Sequence, residues 1–162
     1  MLKKEKRYDR GRHCLLVAAV MTVVNAALTL MGRETHLLFS VFAPYIQSLF
    51  CRSAFEATGA VSHLVIGTAS ALLVVALIVL CWLMAEKKKG WLLAGLVLMA
   101  VDTLDMLYFC VVFDGWDFFL LDFIFHGILL VEMMIGAFAA ADGPVFESRH
   151  EPIDTWNRRK KY

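Results

Sequence analysis

Four stretches of the chain run almost without interruption through apolar residues: 14–31, 60–85, 91–113 and 118–141. None alternates with a period of two, so a closed barrel is disfavoured, and each approaches or exceeds the roughly 17 to 25 residues that a helix needs to cross hydrocarbon. The pattern predicts an all-α, integral membrane four-helix bundle forming a single domain over residues 1–162, with basic tails at 1–13 and 142–162. Between the first and second runs, Leu37 to Ile46 reads LLFSVFAPYI, too short to span and too apolar to float in water. It is expected to lie in the interface or to dip in as a re-entrant segment. Pro44 is expected to break or kink any helix at Ala43, and Tyr45 suits the headgroup level.

Charge orients this picture. Of the 16 Lys and Arg residues, all but Arg33 and Arg52 fall before the first run, between the second and third, or after the fourth. By the positive-inside rule both termini and the Lys87 to Lys89 loop are cytoplasmic, and the connections 32–59 and 114–117 face outward. The composition agrees: 60% of residues are hydrophobic, and the mean hydropathy is +0.66. An apolar run after a basic stretch also suits a cleaved signal, but the first run is too long and lacks a cleavage site, so it reads as a retained anchor. The expected partners are the lipid bilayer and, beyond it, a second copy or another membrane protein. Neither basic tail resembles a nucleic-acid module.

Cysteine usage adds little. There is no C-x-x-C, which argues against four-span proteins that exchange disulfides with a quinone. Cys51 and Cys110 both fall on the outer side, where one disulfide between them is geometrically conceivable.

The candidate chemistry lies inside the third and fourth runs, where Asp102, Asp105, Asp122, His126 and Glu132 interrupt hydrocarbon-soluble sequence. An ionised carboxylate there is expensive and marks a candidate functional site. The turn near Gly115 is tight, so antiparallel helices bring Asp105 and His126 to one depth, roughly 12 Å below the helix ends. Asp122 and His126, and Asp102 and Asp105, are spaced to share helix faces. Asn25 and His63 stand near enough to the same depth to complete the ring. Glu132 lies deeper and on another face, as a separate bundle contact.

Three readings of this cluster are open. Asp102, Asp105, Asp122, His126 and Asn25 suit a proton relay, or a structural lock in which Asp105 pairs with His126. Asp105, Asp122, His126 and His63 form a plausible donor set for zinc or manganese. The leading expectation is a non-enzymatic, transporter-like or accessory membrane protein with an outward-facing Asp/His cluster; the alternative is a metal-dependent intramembrane enzyme using the same residues. No particular cofactor is indicated.

Two resemblances bear on the choice. D-T-L-D at Asp102 to Asp105 with D-F-I-F-H at Asp122 to His126 superficially resembles the metal signature of CDP-alcohol phosphatidyltransferases. Met106 stands where that signature has glycine and His126 where it has aspartate, and the match is rejected. FSVFAPY at Phe39 to Tyr45, KGWLLAGLVLMAVDTLDML at Lys89 to Leu107 and DFIFHGILLVEMMIGAFAA at Asp122 to Ala140 resemble small four-span proteins of Gram-positive, clostridia-like bacteria. That resemblance implies four helices in a bacterial cytoplasmic membrane and brings no activity with it.

Overall fold

The computed structural model describes residues 3–33 and 40–141. Within them the chain forms five helices and no strand: α1 Lys3–Leu30, α2 Phe42–Thr58, α3 Ser62–Ala85, α4 Gly90–Phe113 and α5 Trp116–Ala141. All but α2 are long and apolar enough to cross a membrane, which fits a multi-pass membrane protein. Their outward faces are as apolar as their inward ones, with Leu73, Leu104 and Phe138 each more than 60% exposed. That is what hydrocarbon surroundings permit and water does not.

The inward residues repeat at steps of three and four. On α5 they are Phe119, Asp122, His126, Leu129, Met133, Gly136 and Ala140; on α4, Leu92, Gly95, Met99, Asp102, Met106 and Cys110. This is the spacing of a helix-packing seam. Lipid removes the hydrophobic drive between helices, so small residues set how closely they approach. Gly11 and Gly136 sit back to back: a Cβ on Gly136 would lie 3.1 Å from the Arg7 carbonyl oxygen and 3.2 Å from the Gly11 Cα. Gly67 similarly admits Cys51, and buried Ala71 and Ala140 lie four residues beyond Gly67 and Gly136 on the same faces.

The first helix exceeds its apolar run. Residues 3–13, expected as a solvated basic tail, are the opening turns of α1. Lys4, Lys6, Arg7, Arg10 and His13 point outward, while Glu5, Tyr8, Gly11 and Arg12 continue the buried stripe. Tyr8 donates its hydroxyl to the Ala85 carbonyl at 2.6 Å, and Arg12 reaches Glu86 at 3.4 Å while lying over Trp82. Arg10 and Glu132 are 3.6 Å apart, making Glu132 the separate contact expected of it. The second basic tail, 142–162, lies outside the described residues, as do residues 37–39 of the outer-loop segment.

At Pro44 the loop segment is helical where a break was expected. Its residues 42–46 open a 17-residue helix, α2, packed against α1, α3 and α4. Pro44 does not break it, because it occupies the first turn, where a backbone N–H has no intrahelical acceptor to lose. Gly59, at φ 71°, ends α2 in the left-handed conformation, and its N–H closes on the Phe55 carbonyl. At the α4–α5 turn Asp114 adopts φ 53° and Gly115 follows, giving the tight hairpin that the sequence implies.

Candidate functional site

The start of α2 has its free amide groups inside the bundle, where no water can take them. The first N–H groups of any helix have no partner within it. Here other helices supply the acceptors. Asp102 of α4 turns its carboxylate onto them: Phe42 N–H donates to Oδ2 at 2.8 Å and Ala43 N–H to Oδ1 at 2.9 Å. Pro44 has no N–H to satisfy. Just before the helix, Val41 N–H donates to Thr22 Oγ1 at 2.9 Å, and Asn25 Nδ2 donates to Ser40 Oγ at 2.8 Å. Thus α1 grips the approach to α2 and α4 caps its first turn.

His126 completes the arrangement from α5. Its Nε2 lies 3.1 Å from Asp102 Oδ2 and its Nδ1 2.9 Å from the Asp122 carbonyl oxygen. The Asp122 carbonyl accepts from Nδ1–H, and the Nε2–Oδ2 contact holds one proton shared between imidazole and carboxyl, so the two groups act as one hydrogen-bonded pair. The pair is sealed: His126 is 1% and Asp102 5% exposed. On the α2 side, Phe42, Phe109 and Phe119 close over it in edge-to-face contacts of 5.2 to 5.8 Å.

Asp122 is buried one turn away, near Tyr45 of α2. Burial, and after it the Asp122 charge, raise the Tyr45 phenol above its ordinary value of 10.0.

The partner assigned to His126 from helix depth is corrected. Asp105 is exposed and faces the cleft between α3 and α4, and Asp102 is the residue that meets the imidazole. The buried face of α4 runs through Met99, Asp102 and Met106 and leaves Asp105 outside it. Asn25 joins the cluster through Ser40 rather than by touching a charged group. His63 lies in the first turn of α3, beyond the Gly67 contact, and takes no part in the hydrogen bonds described above. Among the described residues no three His, Cys, Asp or Glu side chains are gathered as metal donors. Cys51 and Cys110 are free thiols, the first beside Gly67 and the second buried beneath the aromatic group.

Sequence reasoning missed Thr22, Ser40 and the amides of Phe42 and Ala43. Thr22, Asn25 and Thr29 share one face of α1 with Ala18, a polar stripe visible in the sequence. The amides carry no sequence signal until the boundary of α2 is known. No family model, curated protein or solved structure matches the chain.

Proposed function

We propose that this is a non-enzymatic membrane protein of the transporter-like or accessory class, in which the Asp102–His126 pair is a proton-responsive latch on α2. In this reading it resides in a bacterial cytoplasmic membrane, with both termini inside and α2 at the outer side. The observation that carries it is the shared carboxylate: the oxygen that receives His126 also receives the Phe42 amide. Protonating Asp102 removes an acceptor from the α2 terminus. Deprotonating His126 leaves one ring nitrogen facing an acceptor with nothing to donate. Either change weakens the hold on α2, while Asp122 and Tyr45 supply a second carboxylate and a hydroxyl beside it.

Cys51, half-buried on α2 against α3, reports on that hold. Maleimide labelling of Cys51 is measured in proteoliposomes, with the other three cysteines replaced by Ser or Ala. Wild type is expected to react slowly near neutral pH, and Asp102→Asn at least tenfold faster. Equal rates in the two proteins across pH 5 to 8, about the range over which histidine titrates, would reject the latch.

A further inference from the structure

The cleft that Asp105 faces adjoins the latch, with Asp102 and Ala43 in its lining, and opens away from it between α3 and α4. It is about 310 Å³ in volume, walled by Val74, Leu77 and Ile78 of α3 and by Leu98 and Val101 of α4, with Ala43 of α2 at its head. A second apolar hollow of about 550 Å³ shares Leu77 and Leu98 with it and runs on to Trp91. The two form a continuous seam between α3 and α4. From Trp91 to Asp105 that is roughly 21 Å along a helix axis.

Asp105 is the anomaly in this seam. It stands eight residues before the end of α4, roughly 12 Å below it, at a depth where hydrocarbon surrounds the bundle. It is exposed, and among the described residues it has no hydrogen-bond or ion-pair partner. An ionised side chain in such a place normally pairs with an opposite charge or lines a pathway. The neighbouring Asp102 cannot relieve it, being another acid and already engaged with Phe42, Ala43 and His126. What the place lacks is a positive charge carried on an apolar body.

The dimensions select the kind of body. The hollow beside Asp105 extends over residues 98–105 of α4, roughly 10 Å. Its volume lies at the lower end of small-molecule sites, roughly 300 to 1,000 Å³. We propose that the α3–α4 seam binds a single-chain lipophilic cation, with its positive nitrogen against Asp105 and its alkyl tail along the seam toward Trp91. The carboxylate selects for charge, and the aliphatic walls accept any chain of suitable length.

The test uses the full chain in phosphatidylcholine nanodiscs, with empty nanodiscs as the blank. Dodecyltrimethylammonium is titrated calorimetrically, and dodecanol serves as the uncharged probe. Wild type is expected to show saturable cation binding above the blank. Asp105→Asn, an isosteric change at an exposed position, is expected to weaken it at least tenfold and to leave dodecanol unaffected. Leu98→Trp, which fills the seam and keeps the carboxylate, is expected to weaken it as well. No binding above the blank, a change below twofold in Asp105→Asn, or unchanged affinity in Leu98→Trp would overturn the proposal. So would a wild-type dimer that Asp105→Asn converts to monomer, since the carboxylate would then belong to a protein contact.

Discussion

Asp102 on α4 and His126 on α5 are joined at 3.1 Å, and the same carboxylate caps a third helix through the Phe42 and Ala43 amides. Removing it therefore disturbs more than a pair. Asp102→Ala strands a buried amide, a part-buried one and the imidazole, and is expected to destabilise the protein by about 3 to 5 kcal/mol. His126→Ala leaves both amides capped and should be milder. Asp105→Ala, outside the buried face of α4, should stay within about 0.5 kcal/mol of wild type. Thermal melting of the three variants in one detergent checks the order, and equal losses for Asp102 and Asp105 would contradict it.

Tyr45 supplies a dependence on alkaline pH. Its folded phenol is raised above 10.0 by burial and then by Asp122, so the unfolded chain ionises first. This contribution is intact below pH 10 and is lost as pH climbs through the raised value. Melting curves from about pH 9 to about pH 11 should show wild type losing more stability than Tyr45→Phe. Parallel curves would remove Tyr45 from the account.

The contact between α1 and α5 is sensitive at one glycine and tolerant at another. A methyl group on Gly136 meets backbone at 3.1 and 3.2 Å, so two helices must move apart. Gly136→Ala should destabilise by about 1 to 3 kcal/mol. Gly127, on the same helix, has nothing within 4 Å of the added carbon, and Gly127→Ala should be neutral or stabilising by up to about 1 kcal/mol. Equal behaviour of the two variants would mean that α1 and α5 are not in backbone contact.

The opening turns of α1 are part of the bundle. Tyr8→Phe removes the 2.6 Å bond to the Ala85 carbonyl and should lower stability by about 0.5 to 1.5 kcal/mol. An unchanged melting temperature would return residues 3–13 to the role of a solvated tail.

The four long helices were legible because hydrocarbon demands a long unbroken apolar run, and three of them begin and end within two residues of the expected bounds. The inner face was legible too, although it is written differently. Gly95, Met99, Asp102, Met106 and Cys110 mark it by their spacing, which puts Asp102 inside and Asp105 out. Matching by depth alone ignored rotation about the helix axis and chose the wrong aspartate. The beginning of α1 was obscured because its buried residues are Glu5, Tyr8 and Arg12, and a hydropathy reading treats charged residues as solvated whatever face they occupy. For α2, the amphipathic stretch after Pro44 falls short of a span and its first turn is stabilised from Asp102, 60 residues further on. No local window contains both halves of that contact.

The same separation sets an order of assembly. When α2 leaves the ribosome, neither the carboxylate that caps its first turn nor the imidazole beside it has been made. The helix can take its final seat only after α4 and α5 have been inserted. A chain arrested after α3 would carry every residue of α2 with its leading amides still seeking water, and in the intact protein the closing step of biogenesis is the settling of an early helix onto a late one.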